Sequence, residues 1–318
     1  MSPVMRIFRH ATALADDRGA VLAIGNFDGV HLGHQTVIAE GRARARAAGA
    51  GFAVLTFEPH PRSVFQPGTA PFRLTALRDK VRGLAELGVE RLVAHRFDLA
   101  FAQKSAEDFV REILVEGLGA RHVVVGYDFV FGNRRRGTPA VLRALGETHG
   151  FGVSVVDPVT SATGAVYAST RIRDDLTAGR PREAAALLGR PWEIGGRVMT
   201  GDKLGRTIGF PTANIALGDY LRPAPGVYAV RVGIEEHGTT RWHAGAANLG
   251  WRPTVGGRDL RLEAHLLDFA GDLYGRRLRV ALIEHLRGER RFAGLEELKA
   301  QIAADCQEAR RVLAFDHA

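Results

Sequence analysis

The sequence contains a single cysteine, Cys306, among its 318 residues. No disulfide can form within one chain, and this fits a reducing compartment, so we expect a cytoplasmic protein. The chain also lacks any run of about 18 apolar residues, the length that a membrane-spanning helix needs. The first 19 residues contain no apolar central block, which favours mature protein over a signal peptide. These absences predict that the protein has no membrane partner.

The charge balance is basic, yet the usual features of a nucleic-acid-binding chain are missing. The formal net charge is +8, which suits either nucleic acid or polyanionic small molecules. No long basic tail and no basic strand interleaved with aromatic residues is present. The stretch GRARARAAG predicts a solvated helix face, whereas FGNRRRGT predicts a loop whose arginines can contact phosphate. We therefore expect small-molecule partners and no nucleic acid, with the chain a monomer or a weak homo-oligomer.

The order of the predicted elements divides the chain into two domains, residues 1–187 and 188–318. In the first domain, short apolar strands such as AVLAIGNF and GFAVLTFE alternate with amphipathic helices. This pattern predicts a parallel α/β sheet, whose ligands bind at the carboxyl ends of the strands. In the second domain, strand-like segments separated by Gly and Pro loops predict a small β-barrel, which a C-terminal helix closes.

Two histidines follow the first of these strands, in AIGNFDGVHLGHQTV. The three-residue spacing places His31 and His34 on one face of a predicted helix start. Gly33 between them lets a ligand approach the backbone, and the helix N-terminus favours phosphate. Histidines there can donate hydrogen bonds to phosphoryl oxygens as charge builds in a transition state. A zinc site, which would need a third ligand, and histidines that only pack or cap remain alternatives.

A second phosphate-binding candidate opens a later helix, in ASTRIR at 168–173. Ser169, Thr170 and Arg173 can bind a triphosphate through hydroxyls, helix N–H groups and a guanidinium. On this stretch alone, an ordinary helix cap with basic residues explains the pattern equally well.

A family resemblance joins these stretches. Gly25, Asn26, Phe27, Asp28 and Gly29, with His31, Gly33 and His34, resemble the His-x-Gly-His signature of the nucleotidylyltransferase superfamily. FEPHP, RLTALRDK, SAEDFV and VVVGYDFVFGNRRRGT are similar to the Rossmann-like adenylyltransferase module of bacterial bifunctional riboflavin kinase/FAD synthetases. The resemblance implies that this domain joins the AMP of ATP to FMN and releases pyrophosphate.

The resemblance also implies the residues of this site. His31 and His34 would be catalytic. The implied ATP-binding residues are Asn26, Phe27, Gly29, His31, Gly33, His34, Ser169, Thr170, Arg171 and Arg173. The implied FMN-binding residues are Phe57, His60, Asp128 and Phe129. The chain departs from the family pattern at Val130, where a basic residue is common, and at Ala168, where a serine usually stands.

The second domain offers a glycine-rich stretch, GDKLGRTIGFPTANI, at 201–215. It is not a Walker A loop, because Lys203 is not followed by Ser or Thr and no helix follows. Its backbone N–H groups can still cradle phosphates, and Thr212 and Asn214 offer uncharged oxygens suited to Mg²⁺. An ordinary loop between strands is the alternative. Glu263, on the alternating strand RLEAHLLDF, is either a base near an attacking alcohol or a solvated side chain.

A second resemblance covers about residues 188–315, in GRTIGFPTANI, GVYAV, NLGWRPTVGG, EAHLLDFAGDLYGRRL and LRGERRF. These stretches resemble the riboflavin kinase module, which implies a six-stranded Greek-key barrel. In that family the PTAN residues, here Thr212 and Asn214, hold Mg-ATP, and Glu263 would activate the riboflavin 5′-hydroxyl. The other implied ligand-binding residues are Gly201, Lys203, Gly205, Arg206, Thr207, Gly209, Phe210, Pro211 and Asn248.

Together the resemblances imply a bifunctional enzyme with Mg²⁺ as cofactor and ATP as co-substrate. The barrel would phosphorylate riboflavin to FMN, and the α/β domain would convert FMN to FAD. Two alternatives stay open. One is an adenylyltransferase whose barrel binds flavin without kinase activity, and the other is a flavin-sensing or RNA-binding protein that does not turn over ATP.

Overall fold

A computed structural model describes residues 5–11, 19–160, 164, 166–200, 208–236, 238–254 and 257–315. The chain forms two compact units. One comprises Met1–Thr69 and Leu77–Tyr167, and the other comprises Ala70–Ala76 and Ala168–Ala318. Residues 168–187 thus belong to the second compact unit, although the sequence analysis assigns them to the first domain. The boundary of the two family modules after residue 187 stays a prediction.

A six-stranded parallel sheet forms the centre of the first unit, in the order β1-β4-β3-β2-β5-β6. Its strands are β1 Arg6–Phe8, β2 Val21–Ile24, β3 Phe52–Glu58, β4 Arg91–Arg96, β5 His122–Gly126 and β6 Gly152–Val156. The parallel α/β prediction is confirmed, with the short edge strand β1 as an addition that no local pattern indicated. Strand order reverses between β2 and β5, and ligands of open α/β sheets bind at such a switch point.

Helices cover both faces of this sheet. They are α1 Leu32–Ala47, α2 Pro61–Phe65, α3 Leu77–Glu86, α4 Leu99–Ala102, α5 Ala106–Asp108 and α6 Pro139–His149, with a π-helix at Phe109–Gly117 and a 3₁₀ turn at Asn133–Arg135. The Ser105 hydroxyl caps α5 by accepting from the Asp108 N–H at 2.9 Å. Strand residues alternate between two buried clusters, Leu22, Ile24 and Leu55 in one and Val21, Ala23 and Val54 in the other. A sheet buried on both faces explains the nearly continuous apolar strands.

The second unit consists of two short helices, an antiparallel sheet and a C-terminal helix. The helices are α7 Ser169–Thr177, α8 Pro181–Leu188 and α9 Leu295–Phe315. The strands are β7 Trp192–Arg197, β8 Ala213–Ala216, β9 Gly226–Glu236, β10 Thr239–Thr254, β11 Gly257–Leu266 and β12 Arg277–Arg287, in the order β7-β12-β9-β10-β11-β8. Just beyond β7, Met199 forms a bridge to Asn214 on β8, so the sheet curls towards closure. The predicted six-stranded barrel with a C-terminal helix is confirmed as a half-barrel.

The core of this unit has two parts, one on each face of the sheet. Leu249, Leu262 and Ile215 are buried on one face, while Ala229 and Ala246 contact the C-terminal helix α9 on the other face. Small residues at these two positions let the helix approach the sheet closely. Cys306 is buried within the cluster around α9, where burial raises the pKa of its thiol.

The segment Ala70–Ala76 packs with the second unit through its backbone. The Trp192 indole Nε1 donates to the Leu74 carbonyl at 2.8 Å, and the Leu221 N–H donates to the Arg73 carbonyl at 2.8 Å. The Arg173 Nε donates to the Phe72 carbonyl at 2.8 Å. Seven residues from the middle of the α/β sequence are thus part of the unit that contains the barrel.

Candidate active sites

The loop between β2 and α1 carries the histidine motif at the switch point of the parallel sheet. Phe27 and Val30 both adopt left-handed backbone conformations, with φ of 48° and 49°, and Gly29 has φ of 87°. A β-branched residue with positive φ is a genuine outlier, and such strain is concentrated at functional sites. The surrounding structure stabilises the loop: the Gly25 N–H donates to the Leu55 carbonyl at 3.1 Å, and the Gln35 amide donates to the Val30 carbonyl at 3.1 Å.

The two histidines have different positions at the helix start. His31 is the N-cap of α1, only 6% exposed, and its Nδ1 accepts a hydrogen bond from the His34 N–H at 3.4 Å. A nitrogen that accepts carries no hydrogen, so in the neutral ring the proton of His31 is on Nε2. The two imidazoles stack with centroids 3.6 Å apart, and the Phe27 ring meets His34 edge-on at 5.2 Å. The predicted one-face placement is therefore observed.

Gly33 lies where a side chain has almost no room. A Cβ there would stand 3.2 Å from Cε1 of His31 and 3.3 Å from the Tyr167 carbonyl oxygen. Asn26 is exposed through its side chain, and Phe27 is buried. The residues that the sequence predicted for this loop, from Asn26 to His34, therefore all lie in the first compact unit.

The residues predicted to bind FMN lie in or beside an aromatic cluster at the carboxyl ends of the strands. Phe57 is 8% exposed at the end of β3, and Phe129 is half-buried and stacks on Phe131 with centroids 5.4 Å apart. Phe109 connects the two, because its centroid lies 6.3 Å from that of Phe57 and 5.4 Å from that of Phe131. Sequence reasoning missed Phe97, Phe101, Phe109 and Phe131; the spacing of aromatic residues in RFDLAF and DFVFG is the signal that was available.

His60 and Asp128 flank this region. His60 is 9% exposed and is the N-cap of α2, where its Nδ1 accepts from the Arg62 N–H at 3.1 Å. Its proton is therefore on Nε2 in the neutral ring. Asp128 is exposed, as is Val130, the position where a basic residue is common in the family.

The start of α7 lies in the second compact unit. Ala168 occupies the N-cap position and makes no side-chain cap hydrogen bond, as expected of a residue without a hydroxyl. Ser169 is half-buried, and Thr170 and Arg171 are exposed. The Arg173 guanidinium lies over the Phe72 ring at 5.6 Å, which together with the bond to the Phe72 carbonyl orients this side chain.

The kinase candidates form a row across three strands. In the antiparallel register, Glu263 on β11 pairs with Asn248 on β10 and with Asn214 on β8. Directly opposite residues have Cβ atoms about 4.5–5.5 Å apart on one face of a sheet. All three side chains are half-buried, on the face where Ala246 contacts α9. Strand register thus places the predicted base Glu263 between the predicted metal ligand Asn214 and the predicted ligand-binding residue Asn248.

The segment that precedes β8 is attached to this row. Gly209 has φ of 89°, Phe210 packs against the cluster around α9, and Thr212 is half-buried. His265 lies 2.8 Å from the Pro211 carbonyl oxygen through its Nδ1. His265 stands two residues after Glu263 on β11, so the two side chains share one face of the strand. The predicted residues Gly201, Lys203, Gly205, Arg206 and Thr207 lie outside the described residues.

The donor set fits magnesium better than a transition metal. Hydroxyl and amide oxygens come from Thr212 and Asn214, and hard cations such as Mg²⁺ prefer oxygen ligands. Among the described residues, no group of three or more His, Cys, Asp or Glu side chains is arranged to hold a metal ion. This arrangement suits an ion that takes its remaining ligands from water and phosphate.

Two family models match consecutive parts of the chain, the one described as FAD synthetase over residues 13–171 and the one described as riboflavin kinase over residues 188–313. The bifunctional riboflavin kinase/FMN adenylyltransferase of Escherichia coli strain K12 is 44% identical over 309 residues, which are 96% of this chain and 97% of that protein. This chain belongs to the bifunctional riboflavin kinase/FMN adenylyltransferase family. The family member from Pseudomonas fluorescens is 46% identical over 300 residues, 94% of each chain.

A solved structure supports the fold of this family member. A crystal structure described as a macrolide-efflux protein from Streptococcus pneumoniae matches with a TM-score of 0.84 at 30% identity, covering 96% of this chain and 99% of that one. In the part of this chain that the structure describes, no helix is long and apolar enough to cross a membrane.

Proposed function

We propose that the chain makes FAD from riboflavin in two consecutive reactions. The riboflavin 5′-hydroxyl attacks the γ-phosphate of ATP, which gives FMN and ADP. A phosphate oxygen of FMN then attacks the α-phosphate of a second ATP, which gives FAD and pyrophosphate. The observation that carries the proposal is the register that sets Glu263 between Asn214 and Asn248 on a riboflavin kinase fold. The histidine loop at the switch point supports the second reaction.

In the kinase reaction, Glu263 orients the riboflavin 5′-hydroxyl and accepts its proton as the oxygen–phosphorus bond forms. A carboxylate suits this work, because a base must lie within hydrogen-bond reach of the proton that it removes. The neighbouring Asn248 amide binds the flavin substrate, and the segment from Gly209 to Asn214 borders the phosphates. Phosphoryl transfer needs mainly alignment and charge stabilisation, and a pre-formed row of polar groups on a sheet supplies both.

Thr212 and Asn214 are the residues that would hold Mg²⁺ with the phosphates of ATP. The ion would neutralise part of the phosphate charge, so that an oxygen nucleophile can approach. Both side chains are neutral, so the chain adds no negative charge of its own at these ligands. Glu263 then acts on the riboflavin 5′-hydroxyl and not on the ion.

In the adenylyl transfer, His31 and His34 donate hydrogen bonds to the phosphates of ATP. His31 offers Nε2–H, because its Nδ1 is engaged as the helix cap. FMN phosphate is already anionic, so no strong base is required, and the task is to align two polyanions that repel each other.

The start of α7, in the second unit, is a further candidate for phosphate binding. Ser169 and Thr170 offer hydroxyls and N–H groups at a helix N-terminus, and Arg171 and Arg173 offer positive charge. Because Ala168 has no hydroxyl, this helix start has one donor fewer than the usual family pattern. We expect weakened phosphate contact there, without loss of the activity.

The aromatic cluster supports a flavin site for FMN. Phe57 and Phe129 offer ring faces to the isoalloxazine, and His60 and Asp128 offer polar atoms at its border. The substrates riboflavin, FMN and ATP are then the partners of a cytoplasmic enzyme. The basic net charge of +8 serves polyanionic ligands in this proposal.

One experiment tests the whole proposal. Purified protein is incubated with riboflavin and Mg-ATP, and FMN and FAD are resolved by chromatography. We expect FMN to appear first and FAD to follow. FAD formation only from added FMN would mean that the barrel binds flavin without phosphorylating it. Flavin binding without any ATP turnover would mean that the protein is a sensor, and would overturn both activities.

Two variants assign the residues. Glu263→Gln should abolish FMN formation while FMN is still converted to FAD, because the amide cannot accept the hydroxyl proton. The double variant His31→Ala/His34→Ala should lose FAD formation and keep FMN formation. Wild-type rates in either variant would refute that residue assignment.

A further inference from the structure

A fully buried lysine lies beneath the histidine loop. Lys80 is on α3 and has an exposed fraction of 0%. Its Nζ donates to the Asn26 carbonyl oxygen at 2.7 Å and to Thr56 Oγ1 at 3.4 Å. The Thr56 hydroxyl, also fully buried, donates to the same carbonyl at 3.1 Å. Two donors from α3 and β3 therefore converge on one peptide oxygen of the loop.

The position of that peptide determines the shape of the loop. The Asn26 carbonyl belongs to the peptide unit whose nitrogen begins Phe27, the first residue with positive φ. Left-handed conformations disfavour non-glycine residues, so the conformation persists only where neighbouring groups enforce it. The loop then continues through Val30 at φ of 49° to the helix cap His31. Holding the Asn26 peptide therefore helps to set where the two imidazoles point.

Burying an ammonium group is expensive unless the site uses it. A methionine of similar length would fill the same space without the desolvation cost, and apolar replacements of buried charges are often tolerated. Leu84, one turn further along α3, is equally buried and belongs to the apolar cluster under the sheet. A lysine on this buried helix face points to a use other than packing.

We propose that Lys80 is a positioning residue of the adenylyl-transfer reaction, which holds the Asn26 peptide and thereby the loop that carries His31 and His34. The inference rests on the proposed function of those histidines. Lys80 acts through the loop backbone: its ammonium restrains the carbonyl of a residue five positions before the helix cap.

The test uses two variants that remove one donor each. Lys80→Met keeps the length of the side chain and removes the ammonium, and Thr56→Val keeps the shape and removes the hydroxyl. FAD formation from FMN is measured as kcat and as KM for each substrate. Circular dichroism, which follows both units, checks that the first unit is folded, and the kinase reaction reports on the second unit only. Lys104→Met, at an ion pair with Glu112 in the first unit, is the matched lysine control.

We expect Lys80→Met to lower kcat for FAD formation by about 10- to 100-fold, the cost of a misplaced catalytic group. KM for FMN should stay within about twofold, because the loop contacts ATP and not flavin. Thr56→Val should lower kcat by a smaller factor. The double variant should lose less than the product of the two single effects, because both donors serve one carbonyl. FMN formation should match wild type in every variant, and circular dichroism should show the first unit folded as in wild type, which distinguishes a positioning role from a loss of stability.

Other outcomes would overturn the inference. FAD formation by Lys80→Met at the wild-type rate would mean that the ammonium has no positioning role. Strictly multiplicative effects of the two single variants would mean that the donors act independently. If Lys80→Met fails to fold, Thr56→Val decides: selective loss of FAD formation supports the inference, and wild-type FAD formation refutes it. If the His31→Ala/His34→Ala variant still makes FAD, the proposed role of the histidines is wrong. If that variant is inactive and Lys80→Met makes FAD at the wild-type rate, only the inference about Lys80 is wrong.

Discussion

Nδ1 of His265 lies 2.8 Å from the carbonyl oxygen of Pro211. A carbonyl oxygen only accepts, so this nitrogen carries the hydrogen and His265 donates. The His265 ring also meets the Phe210 ring edge-on, with centroids 5.6 Å apart. Because His265 stands two residues after Glu263 on the same face of β11, one strand carries both the proposed base and the anchor of the segment that leads to Asn214.

This contact predicts a difference between two amide variants of His265. The Asn amide can place a donor where Nδ1 stands, whereas the Gln amide reaches the position of Nε2. We expect His265→Gln to lower kcat/KM for FMN formation by about five- to tenfold, the worth of one hydrogen bond of roughly 1 kcal/mol. His265→Asn should recover most of this loss, while FAD formation from FMN stays normal in both. Equal losses in the two variants would show that the ring matters and its donor does not.

Gly250 gives a second prediction for the kinase row. A Cβ at this position would stand 2.9 Å from the Asn248 Nδ2 and 3.0 Å from the Glu289 Oε1. Both atoms end flexible side chains, so Gly250→Ala should leave the fold intact and displace the Asn248 amide. We expect KM for riboflavin to rise by about three- to tenfold with a smaller change in kcat, as for a lost binding contact. Gly294→Ala, where a Cβ would meet no atom within 4 Å, is the control.

Gly33 gives the matching prediction for adenylyl transfer. In Gly33→Ala, the new methyl group would press on the His31 ring and on the Tyr167 carbonyl, so the imidazole must move by a few tenths of an ångström. We expect kcat for FAD formation to fall by about tenfold, because small displacements of catalytic groups are costly. FMN formation, measured on the same sample, should not change. A normal FAD-forming rate would mean that the position of His31 tolerates this shift.

His95 predicts an acid sensitivity of the first unit. Its side chain is 9% exposed and packs 4.7 Å from the Phe101 ring, and burial, followed by the nearby His10, lowers the pKa of His95. Below about pH 6.5 the unfolded chain therefore binds a proton that the folded chain does not, so the free energy of unfolding falls as the pH falls. His95→Phe, which cannot titrate, should lose less stability than wild type between about pH 7.5 and about pH 5.5.

Urea unfolding at the two pH values measures this effect. All three tryptophans, Trp192, Trp242 and Trp251, belong to the second unit, so tryptophan fluorescence follows that unit, while circular dichroism follows both. The difference between wild type and His95→Phe should appear in circular dichroism and not in fluorescence. His149→Phe, at the exposed end of α6, is the control. An equal acid response of wild type and His95→Phe would contradict the prediction.

Local sequence signals predicted most elements of the fold. The alternating strands and helices of the first unit and the strand-rich second unit are in the structure where these patterns place them. The three-residue strand β1 and the four-residue strand β8 were not found, because each is short and only partly buried, unlike the four-residue strand β2, whose residues are all apolar and buried. The pairing of β8 with β11 is nevertheless what places Asn214 beside Glu263.

The sequence by itself determined the kinds of chemistry available: paired histidines at a helix start, a hydroxyl-rich helix start and a glutamate on an alternating strand. These features depend on contacts between residues that are only a few positions apart, and such contacts are visible in the local periodicity of the sequence. Only the tertiary structure decided that Asn248, Glu263 and Asn214 share a row, that Lys80 lies under the Asn26 carbonyl and that His265 holds Pro211. The physical reason is that strand register and the packing of distant segments follow from the whole core, and no short stretch of sequence contains them.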